Sequence, residues 1–190
     1  MTTRHAPLRL ASARVDGVPE DLTPAVVDSH TFRHAVGRFA TGVTVVSTTH
    51  DGIRYGMTAN SFTSVSLEPL LVLFCCEFDA TIHDPLLASG HWAVSVLRAS
   101  QVELSKRFAR STVAGVDEWE GVTALAGEVA GDPVIPDALA ILSCRTVASY
   151  PGGDHTIVLG EAIGLEIGAP GDPLLYYASD YRTVAPDELS

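Results

Sequence analysis

Two hydrophobic periods follow one another along the chain. From residue 28 the spacing is helical: Phe32, Val36 and Phe39 recur at i, i+4 and i+7, behind Asp28 or Ser29 as the cap and with Gly42 as the stop. The period then falls to two. Residues 43–49 (VTVVSTT) are β-branched but for one serine, His50-Asp51-Gly52 is a hairpin turn, and Ile53, Tyr55 and Met57 alternate with Arg54, Gly56 and Thr58 on a second strand. Residues 70–76 (LLVLFCC) are apolar on both faces, as in a strand covered from two sides. Asp84-Pro85 opens a helix of barely two turns that Gly90 ends. Residues 91–97 alternate again, with Trp92, Val94 and Val96 on one side, and Ser100 with Glu103 forms a capping box ahead of the helical pair Leu104 and Phe108. Residues 111–137, rich in glycine, proline and acids around an isolated Trp119, read as a long surface excursion. Further strands are predicted over 138–149, 156–167 and 174–177, broken by the turns at 151–155 and 169–173, and no internal repeat is present.

This gives about seven strands, mostly consecutive, and three short helices, which favours an antiparallel barrel with helical additions over a doubly wound sheet. No G-x-G-x-x-G follows a strand, so a Rossmann nicotinamide site has nothing to rest on. Residues 1–27 show no periodicity and are expected to be a flexible N-terminal arm, with residues 28–186 forming one domain.

Composition narrows the function classes. The 190 residues are 46% apolar and only 18% charged, enough for a full core and too little charge for a disordered chain. No apolar run approaches the roughly 20 residues needed to cross a bilayer, and the arginines at 4, 9 and 14 precede no signal-like stretch, so a cytoplasmic protein without membrane contact is expected. The net charge of −11, with Lys106 the single lysine, opposes nucleic-acid binding. A phosphate-bearing cofactor would then be met by backbone N–H groups, hydroxyls and a few arginines. Cys75, Cys76 and Cys144 have no metal-ligand spacing among themselves or with the seven histidines, and the adjacent pair points to opposite sides of a strand; buried free thiols and no metal are expected.

The densest polar cluster lies at residues 56–66 (GMTANSFTSVS), where six of eleven side chains carry a hydroxyl or an amide, between two strands. Neutral donors of this kind can hold the carbonyls of a heterocycle; equally, they can close a hairpin as an ordinary polar loop. The order of residues separates these readings. Phe32…Phe39-Ala-Thr-Gly-Val-Thr-Val-Val46, then Gly56-Met-Thr-Ala-Asn-Ser-Phe62, then Ser64-Val-Ser-Leu-Glu-Pro-Leu70, resembles the short-chain flavin reductases, which serve as the reductase component of two-component flavin-dependent monooxygenases. The likeness continues through Ser89-Gly90, the strand Ala93-Val-Ser-Val-Leu97, Gln101, Leu104-Ser-Lys-Arg-Phe-Ala109, Gly153-Asp-His155 and Tyr176…Tyr181, and so covers about residues 29–185.

The resemblance implies a mainly β fold, an antiparallel split β-barrel with a few short flanking helices, binding FMN or FAD at a homodimer interface. It implies that Arg54, Tyr55, Gly56, Met57, Thr58 and Ala59 run along the isoalloxazine edge, and that Asn60 and Ser61 donate to the ring or ribityl chain. Cys75, Cys76 and Glu77 would border the flavin, Arg107 and Phe108 would lie near its phosphate end, and Gly152, Gly153, Asp154 and His155 would line the nicotinamide side. Two positions depart from the family pattern. Ala80 and Ile82 stand where a hydroxyl pair usually helps to hold the phosphate, leaving Thr81 between them, and Glu68 replaces a proline before Pro69.

In such an enzyme the cofactors carry the electronics of hydride transfer, so no nucleophile or acid–base pair is expected. The protein has to stack two rings at about 3–3.5 Å and exclude water between them. His155 either assists by bonding the nicotinamide carboxamide or ribose, or only ties its own turn; Arg107 is a phosphate partner or an exposed helix residue; Trp119 stacks on a ligand or packs. With no arginine cluster near the 152–155 turn, NADH is favoured over NADPH. Reduced flavin would pass to a separate oxygenase. Two other readings keep the barrel: a tightly held flavin serving an oxidase, and a flavin-binding module without catalysis.

Overall fold

The computed structural model describes residues 27–110 and 117–184. The expected N-terminal arm, residue 27 apart, residues 111–116 of the expected excursion and the end of the expected domain at 186 lie outside the described residues. The elements are α1 (Ser29–Val36), β1 (Thr41–Gly42), β2 (Thr44–His50), β3 (Ile53–Ala59), β4 (Thr63–Leu67), β5 (Leu70–Glu77), α2 (His83–Ser89), β6 (His91–Val96), a 3₁₀ turn (Ala99–Gln101), α3 (Val102–Phe108), β7 (Leu125–Ala126), β8 (Pro133–Val134), β9 (Ala140–Gly152), β10 (His155–Ile167), β11 (Leu175–Tyr177) and β12 (Asp180–Arg182). Seven strands form one sheet in the order β3-β2-β6-β9-β10-β5-β4, every neighbouring pair antiparallel. β1, β11 and β12 form a small second sheet, and β7 and β8 a short ribbon.

Local chemistry sets the two hairpins nearest the site. Asp51 and Gly52 both have positive φ (49° and 77°), the turn whose twist matches its flanking strands, and they register β2 on β3 from His50↔Ile53 to Thr44↔Ala59. At the β9–β10 turn Gly153 takes φ 77°, which only glycine adopts without strain, and Gly152 pairs with His155.

The β-branched run of β2 is buried on both faces. Val46 joins Phe74, Ile82, Leu86, Trp92 and Val158 in one cluster, while Val43 and Val45 join Leu97, Phe108, Trp119, Ile135 and Leu174 in another. Phe74 and Trp92 meet edge to face at 4.9 Å between centroids. Polar β2 side chains are satisfied within the core, as burial requires: Thr44 donates to the Ala59 carbonyl at 2.8 Å, and Thr48 to the His91 carbonyl at 2.8 Å.

The fold is mainly β and antiparallel with three short α-helices, as expected, but the seven-strand ladder is open. No backbone pairing among the described residues joins β3 to β4 or β5; the two ends of the curled sheet meet through side chains, with Cys76 Sγ of β5 3.5 Å from Met57 Sδ of β3. Other expectations shift. α1 stops at Gly37, not Gly42, since residues 41–42 pair with β11, and among the described residues its apolar positions stay largely uncovered: Phe32, Val36 and Phe39 are 61%, 49% and 77% exposed. The polar stretch 56–66 is mostly strand, the last turns of β3 and all of β4, leaving Asn60, Ser61 and Phe62 as the link. The capping contact before α3 comes from Gln101, whose side chain accepts from the Arg98 N–H at 2.9 Å, rather than from Ser100 with Glu103. α2 begins at His83, one residue ahead of the Asp84-Pro85 start. The described part of 111–137 is no loose excursion, since Trp119, Asp132, Val134 and Ile135 are buried and Asp132 accepts from the Thr49 N–H at 2.9 Å and from His91 at 2.8 Å. No helix among the described residues is long and apolar enough to cross a membrane.

Candidate functional site

Where β3 and β5 run out, the Asn60-Ser61 link and the chain from Asp79 to Ile82 spread apart and leave a crevice of about 360 Å³. Its floor is the strand end Gly56, Met57, Thr58 and Ala59, and its sides include Asn60, Ser61, Cys75, Glu77, Thr81, Phe108, Arg110 and His155. Strand alternation decides which neighbours face it. On β3 Tyr55 turns into the core, and on β5 Cys75 faces the crevice while Cys76 is fully buried. Burial pushes the thiols of Cys76 and Cys144 up to about 12, so both stay protonated at neutral pH.

The floor is fixed by its neighbours. Thr58 donates to the Ser105 carbonyl of α3 at 2.7 Å. The Gly56 N–H donates to Glu118 Oε2 at 2.6 Å, and Thr81 donates to the other oxygen of that buried carboxylate. One side chain thus ties β3, the turn before α2 and the segment after 117 behind the crevice. Gly56 also has no room for a β-carbon, which would stand 2.8 Å from two carbons of the Phe108 ring and 3.0 Å from Trp119 Nε1. Phe108 and Trp119 are 4.7 Å apart, and Trp119 Nε1 donates to the Tyr55 carbonyl at 3.1 Å. Ser61 is engaged by the β5 backbone, accepting from the Cys75 N–H at 3.0 Å.

At the rim, His155 bonds Asp154 at 2.7 Å and stands 3.9 Å from Glu77. The bond from His155 holds the Asp154 carboxyl below its ordinary range. The turn is pinned by the Phe78 N–H, which donates to the Asp154 carbonyl at 3.1 Å. Behind it, buried His83 bridges Thr156 at 2.9 Å and Asp84 at 2.8 Å. Glu77 and Asp79 make one side of the mouth acidic.

The structure therefore gathers Gly56, Met57, Thr58, Ala59, Asn60, Ser61, Cys75, Glu77, Thr81, Phe108 and His155 of the residues expected from the sequence. It does not bring in seven others. Tyr55 and Cys76 alternate into the core, and Gly152, Gly153 and Asp154 lie beyond the rim. Arg54 is held by Asp117, its Nε and Nη2 at 3.0 and 2.6 Å from one carboxylate oxygen. Burial alone would raise the Asp117 pKa, but this partner and the Trp119 N–H hold it below the usual carboxylate range. Arg107 turns to the outside of α3, where Nη2 donates to the carbonyls of Glu118 and Glu120 at 3.2 and 2.7 Å. The arginine that does line the crevice is Arg110, three residues further on and past the end of α3. Its i+3 spacing from Arg107 was the one available signal. Nothing local pointed to Glu118, which acts across 62 residues of sequence.

The family model for the flavin reductase like domain matches residues 36–185. An NADH-dependent FAD reductase of Streptomyces globisporus is 46% identical, over 82% of this chain and 85% of the relative. The FMN reductase (NADH) SmoA of Agrobacterium fabrum is 43% identical over 80% and 84%. The reductase subunit HsaB of a flavin-dependent monooxygenase of Mycobacterium tuberculosis is 36% identical over 87% and 88%. Among solved structures, the NADH:FAD oxidoreductase of Streptomyces globisporus in complex with NAD and FAD fragments superposes with a TM-score of 0.79 at 42% identity, covering 87% of this chain and 99% of that one.

Proposed function

The chain belongs to the flavin reductase-like family and is an NAD(P)H:flavin oxidoreductase, and from this premise we propose that it reduces flavin with NADH in the crevice between β3 and β5 and releases the reduced flavin to a separate monooxygenase component. The observation that carries this reading is the crevice itself: a slot floored by Gly56 to Ala59 backbone, flanked by neutral polar side chains, with His155 at its open edge. Its 360 Å³ falls in the roughly 300–1,000 Å³ range of small-molecule sites and suits one flat heterocycle with its side chain.

When bound, flavin and nicotinamide supply the hydride chemistry. The protein's own residues orient and dry the site. Phe108 and Gly56 leave one wall flat, Asn60 offers an amide at the ring or ribityl edge, and Cys75 presents a small apolar flank. His155, steadied by Asp154 at the mouth, bonds the nicotinamide in this proposal. The retention of flavin is weak by construction. Arg54 and Arg107 are engaged within the protein, which supports a diffusing flavin over the tightly held flavin of an oxidase. The working unit, residues 28–186, is a homodimer in this proposal, and Phe32, Phe39, Leu67 and Ile167, which are 61%, 77%, 87% and 78% exposed in the single chain, are apolar side chains a second copy could cover.

The test is NADH oxidation followed by absorbance with FAD and with FMN in air. Turnover with at least one flavin is expected; none with either, or protein that stays yellow through dialysis, overturns the proposal. Sedimentation as a monomer at micromolar concentration overturns the dimer.

A further inference from the structure

Relatives of this chain divide between FAD and FMN, and the crevice has a neighbouring cavity. The second, of about 520 Å³, lies against the outer side of α3, between Leu104 and Arg107 on the helix and Val122, Thr123 and Pro136 beyond it. Arg110 lines both cavities and stands on the ridge between them. Among the described residues no hydrogen bond or ion pair holds its guanidinium, whereas Arg54 and Arg107 are each committed to protein oxygens.

On the reading that this crevice holds the flavin, we propose that Arg110 is a binding and specificity residue that makes the enzyme prefer FAD, with the flavin half in the crevice, the pyrophosphate at Arg110 and the adenosine in the second cavity. The chemistry of each part matches. The crevice stands at the low end of pocket sizes and takes the tricyclic ring and ribityl chain, so the rest of a dinucleotide has to leave it. Glu77 and Asp79 repel a phosphate from one side of the mouth, and Arg110 draws it to the other. Past the ridge, Leu104, Val122 and Pro136 give an apolar bed, and the Arg107 guanidinium, anchored through Nη2 by two carbonyls, is a planar cation against which a purine stacks.

Steady-state kcat/KM with NADH is measured for riboflavin, FMN and FAD in the wild type, Arg110→Ala and Thr123→Trp. Thr123 is exposed, so the indole fills the second cavity without entering the core. The wild type is expected to favour FAD over FMN. Thr123→Trp lowers the FAD:FMN ratio by about tenfold, the loss of roughly one purine contact. Arg110→Ala lowers the FMN:riboflavin ratio by about tenfold, as removal of a charge-assisted hydrogen bond does. An unchanged FAD:FMN ratio in Thr123→Trp overturns the proposal, as does a raised KM for NADH in its place, which would assign the cavity to the nicotinamide dinucleotide. An unchanged FMN:riboflavin ratio in Arg110→Ala overturns the role of the arginine. Failure of the underlying reading looks different: no flavin is reduced by any variant, wild type included.

Discussion

Replacing Gly56 by alanine tests how tightly the crevice floor is built. The new β-carbon would sit 2.8 Å from Cδ1 and Cε1 of Phe108, where ordinary contact begins at 3.4 Å, so the ring has to retreat by about 0.6 Å. On the core side it has nowhere to go, and a shift the other way enters the crevice it lines. Trp119 stands 4.7 Å behind it and is itself pinned by its Nε1 bond to the Tyr55 carbonyl. Overpacking of a filled core by one methyl costs about 1–3 kcal/mol. For a domain of this size each kcal/mol lowers Tm by about 2–4 °C, so Gly56→Ala should melt about 2–12 °C below wild type by circular dichroism. Because Phe108 also lines the crevice, KM for flavin should rise together with the loss of stability. Phe108→Leu makes room for the methyl, so the double variant Gly56→Ala/Phe108→Leu should lose less than the two single losses added, a coupling of about 0.5–3 kcal/mol. A melting point within about 1 °C of wild type, or strict additivity in the cycle, refutes the packing argument.

Three further outcomes follow from the same geometry. Iodoacetamide at neutral pH should alkylate Cys75 and spare Cys76 and Cys144, which are buried with thiols pushed up to about 12, and saturating FAD should slow the reaction; peptide mapping that finds Cys144 modified first refutes this order. The carboxyl of Asp117 is held below its ordinary value, so the pair it makes with Arg54 stabilises the fold above the unfolded carboxylate pKa near ~3.9 and loses that contribution as pH falls through the folded value. Urea midpoints of wild type and Asp117→Asn should therefore differ at neutral pH and converge in acid; a gap that widens in acid contradicts the sign. His155→Asn should raise KM for NADH by about 2–12-fold, the worth of one hydrogen bond, with a smaller change for flavin, as read from initial rates; an equal rise for both places His155 outside the nicotinamide's reach.

Much of this fold was legible from period alone. The alternation of 43–58 and the Asp51-Gly52 turn gave the β2–β3 hairpin, because a two-residue turn and a β-branched run are local signals. The apolar run 70–76 gave β5 for the same reason. The failures are non-local. Residues 41–42 look like a helix stop until β11, more than 130 residues away, pairs with them. Trp119 looks isolated until Tyr55, Phe108 and Gly56 close around it. In the site, the floor residues 56–59 and Cys75 came from the family resemblance, which named Tyr55 and Cys76 with them; strand alternation is what turns those two into the core. The placement of the arginines was not legible, since a guanidinium on a long side chain goes where its partner is: Asp117 claims Arg54, two carbonyls claim Arg107, and only Arg110 is left facing the crevice.

That distribution of cations bears on why the enzyme can be a reductase at all. A flavin held by several arginines would be retained, and its electrons would have to leave through a second substrate brought to the same site. Here the segment from Asp117 to Glu120 holds two arginines in protein contacts while its Glu118 carboxylate braces the floor; if the crevice is the ring site, a single structural element would both shape it and lower its grip on phosphate. Glu77 and Asp79 at the mouth act in the same direction on a dianionic ligand, within a chain whose net charge is already −11. Stacking and neutral donors then decide the geometry of the rings, and those contacts are lost together once the ligand begins to slide out. On the proposed reading, a site built this way would align flavin for hydride transfer without holding the product, which is the property a supplier of free reduced flavin requires.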